Sequence, residues 1–368
     1  MVYKIFTNEK RIIFLYSFFC LLFLLITNNY FDENNINQSA TSGIYYLDIA
    51  KSFPNTFKVE NDSNTYIHAD RFIISYLMGG ISLLINIPAF EIFFIFSKIC
   101  IIFFIYINYL IIIKFKVPVI SKLLLTSLIL LNPYIIRYFL ANPLMLNDLI
   151  FYISISLLLL SFQISNNLIF YISIILALFS RQTSIIILIA FIITYFFPKN
   201  NFINTKKIFY ILIFFAINFI LSKIYISEAS LNNFYHQNLN GLLYYLLQKF
   251  DFLELINFLF YPAFSFFPLI IFLSLEFIYN KPSVSKNFNF IIFFLILGIF
   301  LQPILGGPHI TGKNIIRLTS YAYMPVIYTF YNLYIFQKSF NKKFFFIFIL
   351  FLFFWSLHPT FSRFSFFN

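Results

Sequence analysis

Two adjacent carboxylates, Asp32 and Glu33 in the stretch "YFDENNINQ", follow the first apolar run of the chain by about five residues. A carboxylate placed there is positioned to take a proton from a substrate held at a membrane surface; the plainer alternative is a solvated pair in a loop. Asp48 in "SGIYYLDIAKSF" is a second candidate acid. Its neighbours Ile44, Leu47 and Ile49 are expected to rest on the membrane, with Tyr45 and Tyr46 at headgroup level. In "HADRF" an imidazole, a carboxylate and a guanidinium (His68, Asp70 and Arg71) stand directly before an apolar segment. Arg71 reads either as a headgroup anchor or as a phosphate ligand, for which a planar guanidinium is well suited.

Further along, "NPYIIRYFLANPLMLNDLIF" carries Arg137 and two Asn-Pro breaks, and places Asp148 at the start of an apolar run. Asp is unfavourable beside lipid but favoured at a helix N-terminus that faces a polar cavity. "LFSRQTS" sets Arg181 in a tight turn between two short apolar runs, and "GGPHITGKNIIRLTSYAYMP" holds His309, Lys313 and Arg317. Basic groups around one cavity suit an anionic, lipid-linked substrate, and interfacial snorkelling is the rival explanation for each taken singly. A divalent metal on Asp32, Glu33 or Asp148 fits the donor types, although no dense ligand motif demands one.

The elements that must position these residues are membrane helices. Hydrophobic residues make up 61% of the 368-residue chain and charged residues only 10%, too few to cover a soluble domain of this size. Candidate helices fall at about 12–27, 72–87, 90–113, 119–135, 148–164, 167–179, 183–197, 207–222, 255–278, 288–304, 315–336 and 344–357. The fold class expected is all-α, a polytopic transmembrane bundle in a single domain over 1–368. Cys20 and Cys100 lie inside apolar runs and imply neither a disulfide nor a metal site. The first run lacks a small-residue cleavage site and reads as a retained span.

The net charge of +12 comes from short scattered clusters rather than a basic stripe, which argues against nucleic acid and for positive-inside sorting. Lys114, Lys116 and Lys122, then Lys199, Lys206 and Lys207, then Lys281 and Lys286, then Lys338, Lys342 and Lys343 recur on alternate connections. With the basic N-terminus cytoplasmic, these share one side only if a single span lies between residues 28 and 114. The segment 72–87 then lies along the outer face as an interfacial helix within a first extracytoplasmic loop, 28–89, and the spans number about eleven. All the candidate acids and bases named above then fall outside. Membrane lipids are implied as surroundings, and a bacterial inner membrane as the location.

The order of "FDEN", "GIYYLDIA", "HADRFIISYLMGGIS", "NPLMLNDLIF" and "FSRQTSIIILIA" resembles that of the GT-C superfamily of polytopic glycosyltransferases, in motif order over roughly residues 12–200 and in general architecture beyond. The resemblance implies transfer of a sugar from a polyprenyl-phosphate donor to a glycan, lipid or protein acceptor on the extracytoplasmic side, in cell-envelope glycan assembly. Asp32 or Glu33 would take the acceptor proton, with Asp48 as competitor. Arg71, Arg317 and His309 would stabilise the departing phosphate, with Arg137 and Arg181 behind them. A lipid-linked oligosaccharide flippase would carry more charge deep in its spans than Lys98 and Glu276, and an envelope polysaccharide polymerase would carry Arg in a large late outer loop, which residues 223–254 lack.

Overall fold

A computed structural model describes residues 8–28, 43–56, 71–196, 204–228, 252–284, 289–305, 315–336, 338 and 340–357. Asp32, Glu33, His68, Asp70, His309 and Lys313 lie outside the described residues. The helices in chain order are α1 (Asn8–Thr27), α2 (Gly43–Lys51), α3 (Phe72–Ile85), α4 (Ala89–Ile112), α5 (Val119–Leu130), α6 (Tyr138–Ala141), α7 (Leu146–Ile164), α8 (Asn167–Ser180), α9 (Ile185–Tyr195), α10 (Thr205–Glu228), α11 (Phe252–Asn280), α12 (Phe290–Leu305), α13 (Ile315–Ser320), α14 (Tyr323–Leu333) and α15 (Lys342–Ser356). A two-residue antiparallel pairing of β1 (Ser283–Val284) with β2 (Tyr334–Ile335) is the sole sheet among the described residues.

The architecture is all-α, as expected, and each of the twelve candidate runs is helical over most of its length. Among the described residues, six stretches are long and apolar enough to cross a membrane: Asn8–Thr27, Ala89–Ile112, Val119–Ala141, Pro143–Ile164, Thr205–Tyr225 and Pro262–Asn280. The apolar helices Phe72–Ile85, Asn167–Ser180, Gln182–Tyr195 and Phe290–Pro303 are shorter. α7 is the central helix, with Leu149, Phe151, Ile155, Leu158 and Leu159 all buried, whereas α1 and α10 present Leu15, Ile26, Phe209 and Phe219 outward. Such outward apolar surface is what a helix exposes to lipid.

Around the two Asn-Pro pairs the chain is helical almost throughout: a π-helical turn at Pro133–Arg137, then α6, then a 3-10 turn at Pro143–Met145. Asn132 caps the restart by accepting from the Tyr134 amide at 3.0 Å, and Pro133 sits in the first turn, where its missing N–H is harmless. One expectation drawn from the sequence is corrected: the segment 43–51 does not turn Leu47 and Ile49 toward lipid. Tyr46, Leu47 and Ile49 are buried inside the protein, because α2 packs against α3 and the 143–145 turn.

Two glycines permit that packing. A Cβ on Gly43 would stand 2.7 Å from the Leu144 Cβ, so only glycine seats the start of α2 on the turn before α7. A Cβ on Gly79 would collide with the Ala50 carbonyl oxygen, a backbone atom with little room to yield, whereas one on Gly80 meets only the Phe53 ring at 3.4 Å. Gly79→Ala is therefore expected to destabilise the protein by about 1–3 kcal/mol, and Gly80→Ala to be close to neutral, in thermal unfolding of the detergent-solubilised protein. Equal effects of the two would remove the close approach of α2 and α3 from the account.

Side-chain contacts define two ends of the bundle. At one, Lys122 at the start of α5 pairs with Glu9 at the start of α1 (2.5 Å), Tyr109 near the end of α4 donates to the Lys10 carbonyl (3.5 Å), and Gln163 at the end of α7 donates to the Ile111 carbonyl (3.3 Å). At the other, the start of α3, the start of α7, the α8–α9 turn and α13 converge. That convergence builds the candidate site.

Candidate functional site

Asp148 occupies the first turn of α7 and is wholly buried. The N-terminal end of a helix favours a carboxylate there, through the partial positive charge of its unpaired amides. One carboxylate oxygen accepts a hydrogen bond from Arg181 Nη1, and the other faces Arg317 Nε at 3.4 Å. These are two of the three ion pairs among the described residues.

Each arginine is held by its own element. Arg181 is the residue between α8 and the 3-10 turn Gln182–Ser184, in extended backbone, which throws its side chain inward. Its Nη1 also donates to the Tyr321 hydroxyl at 2.6 Å, and only 3% of its side chain is exposed. Arg317, in α13, donates from Nη1 to the Tyr138 hydroxyl at 3.0 Å and is 14% exposed. Arg71 immediately precedes α3; it donates from Nη1 to the Tyr46 hydroxyl at 3.2 Å and from Nη2 to Gln182 Oε1 at 3.4 Å. Its carbonyl accepts from Asn147 Nδ2 at 2.9 Å, which ties the start of α3 to the start of α7.

Among the described residues, three guanidinium charges thus meet one carboxylate, an excess of two positive charges that runs from buried Arg181 and Arg317 to half-buried Arg71. Arginine does not deprotonate in proteins, so the excess is permanent. Buried charge without a counter-charge is destabilising by several kcal/mol per ion, and the cluster also leaves donors unused. Arg71 Nε is buried without a hydrogen bond, while Arg317 Nε and the second carboxylate oxygen of Asp148 face each other at 3.4 Å without making one. An oxyanion with several acceptor atoms satisfies both the charge and the open donors. Access is graded, from Arg181 at the closed end to half-buried Arg71 at the open one.

The structure brings together Arg71, Arg181, Arg317 and Asp148 from the set expected to act. Arg137 points elsewhere: it donates from Nη1 to the Thr27 carbonyl and from Nη2 to Thr27 Oγ1, both at 2.9 Å. It thereby caps the last turn of α1, where cations are favoured. Asp48 is half-buried and stands about 200° around α2 from Tyr46, so it does not share the face that Tyr46 turns toward Arg71. Burial pushes its carboxyl above the usual range, and Lys51 on the same helix pulls it back down.

A divalent metal does not fit at Asp148, whose oxygens already face two guanidiniums in a cluster of net positive charge. Among the described residues no group of three or more His, Cys, Asp or Glu side chains could hold a metal ion.

The tyrosines that line the cluster were not anticipated. Tyr46 and Tyr138 hold Arg71 and Arg317, Tyr321 holds Arg181, and Tyr152 is hydrogen-bonded to Ser320, whose Oγ donates to the Arg317 carbonyl at 2.6 Å. With 26 tyrosines in the chain, residue type gives no signal; adjacency to Arg137 and to "LTS" would have been the only pointers. No protein-family model, curated protein or solved structure matches the chain.

Proposed function

We propose that the chain is a membrane glycosyltransferase of the GT-C type. It transfers a sugar from a polyprenyl-phosphate-linked donor to an acceptor on the extracytoplasmic face, in envelope glycan assembly at a bacterial inner membrane. The observation that carries this reading is the excess of two guanidinium charges over the one carboxylate, Asp148, among the described residues of the cluster, which suits a phosphate. Arg71, whose Nε makes no hydrogen bond, and Arg317 bind the donor phosphate and stabilise the charge it gains as the C1–O bond breaks. Asp148 and Arg181 form the fixed floor, and Tyr46, Tyr138 and Tyr321 hold the guanidiniums in place.

In this proposal the N-terminus is cytoplasmic, the spans number about eleven, and 72–87 is an interfacial helix in a first extracytoplasmic loop, 28–89. Support comes from the two ends of the bundle. The start of α1 lies beside the end of α4, so α1 ends and α4 begins at the opposite, arginine-bearing end. The intervening chain has no net crossing to make, and the 14 residues of α3 reach only about 21 Å.

Asp32, Glu33 and Asp48 are the candidate bases for the acceptor proton, a role worth about 10²- to 10⁴-fold in rate. Asp32→Asn, Glu33→Gln and Asp48→Asn are to be assayed for sugar transfer from a polyprenyl-phosphate donor at matched protein level. One of the three is expected to lose at least about 10²-fold; full activity in all three would remove a first-loop carboxylate from the mechanism.

A further inference from the structure

A second polar cluster lies at the far end of the bundle, beside the Lys122–Glu9 pair, and takes no part in the proposed chemistry. Glu276, in α11, is wholly buried; Ser121 Oγ in α5 donates to its Oε1 at 3.2 Å, while Oε2 has no hydrogen-bond partner. Asn280, one turn on and on the same helix face, is buried close to the Glu276 carboxylate, and neither its amide oxygen nor its nitrogen makes a hydrogen bond of good geometry. The Tyr331 hydroxyl, in the last turn of α14 and within electrostatic reach of Glu276, is likewise unpartnered, its ring stacked on Phe115 at 5.2 Å between centroids. The β1–β2 pairing ties the ends of α11 and α14 together and so gathers these groups.

A buried carboxylate in a membrane helix calls for a partner. Among the described residues, no Lys or Arg nitrogen lies within ion-pair distance of Glu276. Lys122 is next to Ser121 in sequence but is turned to Glu9 at 2.5 Å and to the Ile113 carbonyl at 3.2 Å. Both α11 and α14 also direct their C-terminal, electronegative ends at the cluster. Helix C-termini and side-chain oxygens together are the usual surroundings of a small cation inside a membrane protein.

We propose that Glu276, Asn280, Tyr331 and Ser121 form a binding site for a small monovalent cation of the Na+ class. The donors available to it are oxygens. A single carboxylate balances a single positive charge, whereas a divalent ion would leave net charge buried, and an anion would meet the wrong sign from the carboxylate and from both helix ends.

The test uses the full-length protein in detergent, with thermal unfolding followed at constant ionic strength as Na+ replaces N-methylglucamine. The midpoint is expected to rise by a few degrees between about 1 and about 100 mM Na+. Glu276→Gln should abolish that rise, and Tyr331→Phe, which keeps the ring and removes one oxygen, should shift it to higher Na+. The second variant decides the matter if the first does not fold. A midpoint indifferent to Na+ in the wild type, or a rise that survives both substitutions, overturns the site; a wild-type midpoint that responds to acid instead of Na+ assigns Glu276 to a protonated carboxyl. The readout is stability rather than transfer, so it stands or falls apart from the arginine cluster.

Discussion

Asp148→Asn is expected to destabilise the protein by about 3–5 kcal/mol, because it leaves buried guanidiniums with no carboxylate at all. Arg181 suffers most: it is nearly unexposed and loses the partner of its Nη1, keeping only neutral hydroxyls. Asp48→Asn is the matched control, since Asp48 is half-buried and makes no ion pair with another described residue; it should change stability little. Thermal unfolding in detergent reads both. The same substitution increases the excess positive charge, so an added phosphate-bearing lipid should recover more stability in Asp148→Asn than in the wild type. A variant as stable as the parent would mean that the arginines do not depend on Asp148 for their charge balance.

Arg71→Gln and Arg317→Gln carry the second large effect. Each removes one guanidinium of the cluster while leaving the Asp148–Arg181 pair in place, so the fold is expected to persist. Hydrogen bonds to charged groups contribute about 1.5–3 kcal/mol each, which corresponds to a loss of roughly 10- to 150-fold in affinity for polyprenyl phosphate. Lysine should rescue Arg317 only in part, because a point charge cannot both face Asp148 and reach the Tyr138 hydroxyl as the guanidinium fork does. Binding of the uncharged polyprenol should be unchanged in both glutamine variants. An equal loss for the alcohol and the phosphate would place the defect in lipid packing instead.

Much of the scaffold is written locally in the chain, and the site is only half written there. Helices betray themselves through apolar runs closed by Asn caps, such as Asn166 before α8 and Asn341 before α15. The Asn-Pro breaks mark restarts inside a buried helical path, at Asn132 and again at Asn142. Arg71, Asp148, Arg181 and Arg317 each stand out as a charge in apolar surroundings, yet their convergence depends on packing between distant segments. Arg137 is the instructive case: same residue type, same expected face, adjacent to Tyr138, and bound instead to the end of α1. Nothing in its neighbours distinguishes it from Arg181. Tyr46 was assigned to a membrane surface because amphipathic patterning cannot tell lipid from a protein partner as the apolar surroundings of a helix, and α3 supplies that partner.

The most direct measurement is the affinity of the purified full-length protein for polyprenyl phosphate against polyprenol of the same length, by native mass spectrometry or calorimetry, in the wild type and in the Arg71→Gln/Arg317→Gln double variant. The arginine cluster predicts that the phosphate binds the wild type at least about 10-fold more tightly than the alcohol, and that the double variant erases the difference. Equal affinity for the two lipids in the wild type, or a preference for phosphate that survives in the double variant, would contradict it.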